Sequence, residues 1–346
     1  MPQALTLARA LWPLASLAVL LLLVAIAGSF APTVIQRVMT EAFIRLVMVV
    51  GLYLFVGNSG VLSFGQAAFM MTGAYGAAWL DIPVKTKKIF LKGLPGFLGN
   101  AEFPPWLAAL CAMGFSGLLA FIVGIPLVRL SGLAAAIGTF SVLAIVYVVY
   151  SNWDALTNGT SSLIGLPIYV DLWTAYLCAV GSMIAAFWFQ NSRLGLALRA
   201  SREDEVAAKA IGVNVPFARL VAFVLSAMLV ALGGVLQAHF LGSLNVMQFY
   251  LGITFITIAM LVVGGTGSLA GAVVGTAAIS LMFELLRQLE VGFAIGSVQI
   301  QVPPGLRELG VAIIMIVILI FRPAGLMAGR ELPLPGRLRP RLVTSG

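Results

Sequence analysis

The sequence predicts an all-α polytopic membrane protein with about ten transmembrane helices. Its 346 residues are 61% hydrophobic and only 9% charged, with a mean hydropathy of +1.08, a composition typical of chains with several membrane spans. Several uncharged stretches, such as 11–30, reach the roughly 20 residues that a helix needs to cross a bilayer. Barrel strands are not expected, because these stretches lack the strict alternation that such strands show.

The apolar stretches are each expected to cross the membrane once, and the amino terminus is placed in the cytoplasm. The first stretch is longer than the 7 to 15 apolar residues of a signal-peptide core, so we expect a retained first helix. An even number of crossings returns the carboxyl terminus to the cytoplasm. The predicted crossings are about 11–30, 42–57, 63–80, 106–128, 131–150, 172–189, 219–240, 251–264, 269–286 and 305–321.

The net charge of +8 is spread unevenly along the chain. More than half of the basic residues fall on the predicted cytoplasmic side, as the preference of basic residues for that side requires. Four lysines in the loop 84–93 fall on the outer side and argue against this orientation. The basic residues cluster at helix ends rather than on a soluble domain, which disfavours nucleic-acid binding. We therefore expect a membrane domain over 1–330 and a basic cytoplasmic tail over 331–346.

One segment, 190–215, departs from the low charge of the chain and contains "RLGLALRASREDEVAAKAIG". Ser201 followed by Asp204 has the form of a capping box, and Gly212 supplies a stop, which together predict a helix over 202–211. At 1.5 Å per residue this helix is only about 15 Å long and cannot cross a bilayer. The segment is therefore expected on the cytoplasmic surface.

The predicted short helix carries both mixed charge and an apolar strip. Glu205 and Lys209 form a favourable i, i+4 pair, and Val206 and Ala210 make the narrow strip. A simple connector between two crossings needs only a few polar residues. A docking surface for a soluble partner explains both features, and the connector is the alternative interpretation.

Polar groups in or beside the second and third crossings are candidates for lining a solute path: Asn58, Ser59, Ser63, Gln66 and Thr72. Hydrogen bonding between helices is the alternative role for each of them. His239, the only histidine, is interpreted as a packing residue, and Glu284 and Arg287 as an ion pair at the outer membrane boundary. With one histidine and two cysteines inside apolar stretches, the sequence offers no metal site and no nucleophile with a base.

Four motifs in order resemble the permeases of branched-chain amino-acid ABC importers of the LivM type. They are "VGNSGVLSFGQAAFMMTGAYGAA" at 56–78, "SRLGLALRASREDEVAAKAIGVNV" at 192–215, "VVGGTGSLAGAVVGT" at 262–276 and "FRPAGL" at 321–326. The resemblance covers most of the chain from about 45 to 326. It does not cover the amino terminus, the lysine loop or the tail.

The resemblance implies an ABC importer permease of type II-like architecture in a bacterial-type inner membrane. The implied partners are a second, LivH-like permease subunit, two cytoplasmic ABC ATPase subunits and an extracytoplasmic solute-binding protein. ATP and Mg would be bound by the ATPases, since this chain has no phosphate-binding loop of the form G-x-x-x-x-G-K-[ST], and no cofactor is expected here. The segment 190–215 would fit a groove on the ATPase through Arg199, Arg202, Glu203, Asp204, Glu205, Lys209 and Gly212.

Gln66 stands where many relatives carry histidine, which leaves the solute preference open. Branched-chain or other hydrophobic amino acids are favoured as solutes, and a permease for urea, amides, nucleosides or sugars is an alternative within the superfamily.

An ion-coupled secondary transporter is the alternative from another class of transport protein. It would normally keep ionisable residues inside its spans, and the long uncharged stretch 220–283 counts against it.

Overall fold

The computed structural model describes residues 2–91, 93–291, 293–295, 298–300, 305–329 and 331, which are almost entirely helical. The helices that precede the charged segment are α1 (Pro2–Ser29), α2 (Thr33–Ser59), α3 (Gln66–Asp81), α4 (Val84–Phe90), α5 (Gly96–Gly99), α6 (Pro105–Leu127), α7 (Gly132–Ser151), α8 (Asp154–Thr157) and α9 (Leu172–Asn191). They are followed by α10 (Arg193–Glu203), α11 (Glu205–Ala210), α12 (Val215–Leu241), a 3₁₀ turn (Val246–Phe249), α13 (Leu251–Gly264), α14 (Leu269–Val291) and α15 (Leu306–Phe321).

Strands are few and short in the described ranges. Strand β1 (Leu163–Ile164) pairs antiparallel with β2 (Ser243–Leu244), with Leu163 opposite Leu244. Strands β3 (Phe293–Ile295) and β4 (Val298–Ile300) form a hairpin between α14 and α15. Both pairs lie in connections, so the fold class is the all-α membrane class that the sequence predicts.

Eight helical segments in the described part of the chain are long and apolar enough to cross a membrane. One of them, Val246–Gly264, joins the 3₁₀ turn to α13. The other two predicted crossings correspond to α3 and α15, each of 16 residues, or about 24 Å of helix. The prediction of about ten apolar helices is confirmed.

The second helix begins earlier than the sequence predicted. The expected start was 42, whereas α2 begins at Thr33 and carries Glu41 and Arg45 inside it. The two side chains are one helical turn apart and form an ion pair, so the helix continues through Glu41, which lay just outside the predicted crossing. Of the predicted tail 331–346, only Glu331 lies within the described residues.

Helices α2, α3 and α12 form the centre of the bundle, and small residues let them approach closely. A Cβ atom on Gly73 of α3 would lie 2.6 Å from the carbonyl oxygen of Ala231, and one on Gly234 of α12 would lie 2.1 Å from the carbonyl oxygen of Met70. Neither position has room for a side chain. Close backbone approach of this kind is how helices associate in lipid, where apolar side chains gain little by leaving the hydrocarbon.

Helices α6 and α7 lie at the periphery. Large apolar side chains on them are exposed, including Leu118, Ile122, Leu133 and Ile145. Exposed apolar side chains suit contact with hydrocarbon tails, so these helices present a lipid-facing surface.

The helices place different side chains at two opposite ends of the bundle. The Arg199 end contains the carboxyl termini of α2 and α9, the amino termini of α12 and α14, and the helices α10 and α11. The His239 end contains the carboxyl termini of α3 and α12, together with the β1–β2 pair and the lysine loop.

Candidate functional site

The charged segment 190–215 forms two short helices rather than the single helix predicted over 202–211. The first, α10, begins after Ser192, whose hydroxyl accepts a hydrogen bond from the Gly195 N–H. It ends at Asp204, which adopts an extended backbone and caps α11 by accepting from the N–H groups of Val206 and Ala207 at 2.9 and 3.0 Å. The predicted boundary was wrong because Asp204 is the capping residue itself.

Ser201 therefore has a different role from the one its spacing suggested. Its hydroxyl is buried and donates 2.7 Å to the Leu198 carbonyl within α10. The predicted stop at Gly212 is confirmed, since this residue has a φ of +87° in the turn after α11, a conformation that favours glycine. Pro216 lies in the first turn of α12, where proline is well tolerated.

Arg199 fixes α10 to the membrane helices. Its Nε donates to Asn58 Oδ1 at 2.8 Å, and its Nη2 donates to Gln190 Oε1 at 3.0 Å and to the Tyr53 hydroxyl at 3.2 Å. Tyr53 in turn donates to Gln190 at 2.7 Å. One guanidinium group thus connects α2, α9 and α10, because its donors are held in a rigid planar fork.

Arg202 fixes the other side of the same junction. Its Nη1 donates 2.8 Å to the Gly57 carbonyl, in the last turn of α2. A cation at this position satisfies an otherwise unpaired carbonyl and interacts favourably with the helix dipole. Arg199 and Arg202 are thus directed into the membrane domain.

Glu205 connects α11 to α12. Its carboxylate accepts from Lys209 at 2.8 Å and from Arg219 at 2.8 Å, so the predicted pair with Lys209 is confirmed and a second partner is added. Hydrogen bonds from Lys209 and Arg219 hold the pKa of Glu205 below its usual range. The carboxylate therefore stays charged at neutral pH and holds the two helices together.

The outward face of the segment is apolar as well as charged. Val206 and Ile211 are each 79% exposed, and Glu203 and Lys209 are exposed beside them. We call the surface formed by Val206 and Ile211 the exposed patch. The predicted coupling residues therefore separate into those that anchor the segment and those that surround this patch.

The five predicted path residues separate into two groups. Asn58, Ser59 and Thr72 are buried, and each donates to a carbonyl of its own helix. Thr72 also lies 2.9 Å from the Ser116 hydroxyl of α6. Thr72 and Asn58, which also accepts from Arg199 of α10, thus make bonds between helices of the kind given as the alternative role, and Ser59 bonds within its own helix.

Ser63 and Gln66 differ from the other three. They are 1% and 5% exposed, and their side-chain polar atoms have no hydrogen-bond partner among the described residues. Ser63 lies in the turn before α3 and Gln66 is the first residue of α3; in the same turn the Phe64 N–H donates 3.2 Å to Thr139 of α7. Buried polar groups without partners are expensive, so these two are the better candidates for contact with something that the chain alone does not supply.

At the other end, His239 is fully buried and has polar groups at both ring nitrogens. Nδ1 lies 2.7 Å from the Val235 carbonyl and Nε2 lies 2.7 Å from Asp81 Oδ2. Lys87 of the lysine loop is also buried and donates to the carbonyls of Leu80, Leu98 and Ala101, and burial lowers its pKa. These residues hold the His239 end together.

Sequence analysis did not single out the charges of α2 as a site. Glu41 and Arg45 face Glu284 and Arg287 of α14 across a cavity of about 320 Å³. The predicted pair of Glu284 and Arg287 is confirmed, but it lines this cavity as well. The available signal was the spacing of "TEAFIRLVM", with opposite charges four apart inside an apolar stretch.

The chain matches the family described as branched-chain amino acid transport system / permease component over residues 34–321. It is 26% identical over 283 residues to the high-affinity branched-chain amino acid transport system permease protein LivM of Salmonella typhimurium, covering 72% of this chain and 62% of that protein. It is 25% identical over 253 residues to LivH of the same organism, covering 65% of this chain and 76% of LivH.

A sugar permease is also similar. The ribose import permease protein RbsC of Escherichia coli is 25% identical over 290 residues, covering 78% of this chain and 83% of RbsC. A solved ABC transporter of the metal-chelate type, in an inward-facing conformation, aligns over 89% of this chain with a TM-score of 0.42 and 17% identity. The chain spans 62% of the length of the LivM relative.

Proposed function

The chain belongs to the branched-chain amino acid transport system permease family, and we propose that it provides half of the translocation path of an ATP-driven importer for branched-chain or other hydrophobic amino acids. In this proposal a second permease subunit provides the other half. Two cytoplasmic ATPases bind ATP and Mg, and an extracytoplasmic protein delivers the solute. The protein would lie in an inner membrane with the Arg199 end and both termini in the cytoplasm.

The observation that carries the proposal is the anchored segment with its exposed patch. Val206 on α11 and Ile211 just after its end are each 79% exposed, yet Glu205 ties α11 to α12 and α10 is fixed to α2 by Arg199 and Arg202. Large exposed apolar patches mark protein contacts, and in this proposal the two side chains belong to such a patch. A rigid connection to α2 and α12 would pass movement of the ATPase to the centre of the bundle.

The docking part of the proposal is tested by Val206→Asp in the complex purified with its native partners. A carboxylate at the centre of the patch should weaken ATPase association by about tenfold, as for loss of an apolar interface anchor, while membrane insertion stays normal. The measurements are co-purification of the ATPase and ATP-driven uptake of radiolabelled leucine in proteoliposomes. Ala200→Asp, which adds a carboxylate to an exposed position of α10, is the matched control.

Two outcomes would contradict this proposal. Full ATPase association in Val206→Asp would show that the patch is not the docking surface. If the chain alone moved solute in vesicles driven only by an ion gradient, the secondary-transporter alternative would replace it.

A sugar is the second candidate solute, since the similarity to RbsC covers more of this chain than the similarity to LivM. Competition between leucine and ribose for ATP-driven uptake separates the two. Uptake of leucine that is unaffected by excess ribose is the expected result.

A further inference from the structure

The cavity between α2 and α14 has a charged lining at a depth where membrane proteins usually avoid charge. Arg45 is 12 residues beyond the first residue of α2, or about 18 Å along the helix, close to the middle of the 27-residue span. Its side chain is only 15% exposed. Ionisable groups at such a depth are expensive and indicate function by default.

Both ion pairs seen at the cavity join neighbours on one helix. Arg45 pairs with Glu41 on α2, and Arg287 donates to both carboxylate oxygens of Glu284 on α14. Because all four side chains line the same cavity, opposite charges are presented together to the space between the two helices.

The cavity contains one more positive charge than negative. Arg37 lines it beside the two pairs, which gives three guanidinium groups and two carboxylates. Arg37 has no ion pair among the described residues. The lining can therefore accept an anionic group and still offer a carboxylate to a cationic one.

The remaining wall is largely apolar, with one polar exception. Phe283 packs under Arg45, whose guanidinium carbon lies 5.0 Å from the ring centroid, and Phe240 and Val38 also line the space. Ser280 lines the cavity and is only 6% exposed, and its hydroxyl has no hydrogen-bond partner among the described residues. A volume of about 320 Å³ lies at the lower end of the range for small-molecule sites.

We propose that this cavity binds the zwitterionic end of a free amino acid, with Arg45 and Arg37 receiving its carboxylate and Glu284 and Glu41 receiving its ammonium group. The apolar wall at Phe283 would take the side chain. This inference rests on the proposed function and narrows it. An uncharged sugar offers no charge to the guanidinium and carboxylate groups of the lining, whereas a zwitterion supplies both signs.

The side from which the proposal requires the solute to enter is also lined by a cavity. A second cavity, of about 190 Å³, shares Arg37 and Phe240 with the first. It is also lined by Asp171, the residue before α9 at the His239 end. A solute released at that end would thus meet Arg37 first and Arg45 deeper in the bundle.

The test uses a cysteine at Ser280 in the complete transporter, with Cys111 and Cys178 replaced by serine. The negatively charged reagent MTSES labels the new thiol, and the labelling rate is measured with and without leucine. Leucine at ten times its dissociation constant should slow labelling by about tenfold, since it occupies the site by mass action. Ribose at the same concentration should not slow it.

The roles of the charges are tested with leucine analogues in the same assay. Arg45→Gln should weaken protection by leucine by about 10- to 100-fold, as for a lost charge-assisted hydrogen bond. In this variant leucine should protect the thiol no better than leucinol, which lacks the carboxylate. In Glu284→Gln, leucine should protect the thiol no better than 4-methylpentanoate, which lacks the amine. Arg129→Gln, which removes an exposed guanidinium elsewhere, is the control, and Arg45→Lys keeps the charge if Arg45→Gln fails to fold.

The outcomes separate this inference from the proposed function. ATP-driven leucine uptake without any protection of the Ser280→Cys thiol would overturn the site and leave the importer in place. Protection by ribose and not by leucine would overturn the zwitterion assignment. Absence of ATP-driven uptake of either solute would contradict the proposed function, and protection by leucine would then still support the site.

Discussion

The charges at the Arg199 end and those in the α2–α14 cavity are arranged in opposite ways. Arg199, Arg202 and Glu205 all reach a different helix from their own. In the cavity, Arg45 and Arg287 pair with acids on the same helix. Charges that connect helices fix the relative positions of those helices, whereas charges paired along one helix leave the space between helices open.

The two arrangements of charge suit different functions. A surface that transmits force from a partner has to be rigidly connected to the helices it moves. A site that binds and releases solute has to exchange its partners without unfolding, and short i, i+3 and i, i+4 pairs contribute little stability of their own. Removing one charge should therefore affect stability strongly at the Arg199 end and binding strongly in the cavity.

The largest effect on stability is expected for Arg199→Met. The substitution removes donors from Asn58, Gln190 and Tyr53 at once, and hydrogen bonds to a charged group contribute about 1.5–3 kcal/mol each at most. We expect loss of about 2–3 kcal/mol, read as a lower Tm of the purified protein in detergent. Arg193→Met, on an exposed position of the same helix, is the matched control. Equal Tm values for the two variants would show that the hydrogen bonds of Arg199 do not stabilise the Arg199 end.

A smaller, pH-dependent effect is expected for Glu205→Gln. Ion pairing lowers the pKa of Glu205 in the folded protein, so its stabilising contribution is complete above the unfolded pKa and is lost as the pH falls through the folded value. The variant should be less stable than the wild type by about 0.5–1 kcal/mol at neutral pH. This deficit should disappear as the pH falls below the usual range of glutamate.

The measurement is the difference in Tm between variant and wild type as a function of pH. Glu203→Gln is the control, because Glu203 is exposed on the adjacent turn. A pH-independent deficit for Glu205→Gln would mean that packing, and not the charge, holds α11 to α12.

The sequence predicted the helices and the charged segment because both depend on local pattern. Long uncharged stretches define spans, and a cap with a glycine stop defines a short surface helix. The exact cap was mispredicted, since Ser201 and Asp204 both suit that role and only their packing decides between them. Ser201 is a buried residue of α10 whose hydroxyl donates to the Leu198 carbonyl, and Asp204 caps α11.

The partners of Arg199 and the α2–α14 cavity could not be predicted, because they join residues far apart in the chain. Asn58 and Arg199 are 141 residues apart, and nothing in either local sequence indicates their contact. The predicted second crossing began just after Glu41 and contained Arg45, but neither charge was assigned a role. Their spacing along the helix was visible, but the facing pair on α14 was not.

The smallest effect on stability is expected to distinguish two buried serines, Ser226 and Ser280. Ser226 donates 2.6 Å to the Gly51 carbonyl of α2, whereas the Ser280 hydroxyl in the cavity has no partner among the described residues. Ser226→Ala should therefore lower stability by about 0.6 kcal/mol, the average for hydrogen bonds between membrane helices, and Ser280→Ala should not lower it. Leucine affinity should fall only in Ser280→Ala, because its hydroxyl is available to the solute. If Ser280→Ala lost stability and kept leucine affinity, the cavity would be a structural feature of the bundle, and the contrast between the two charged regions would not extend to function.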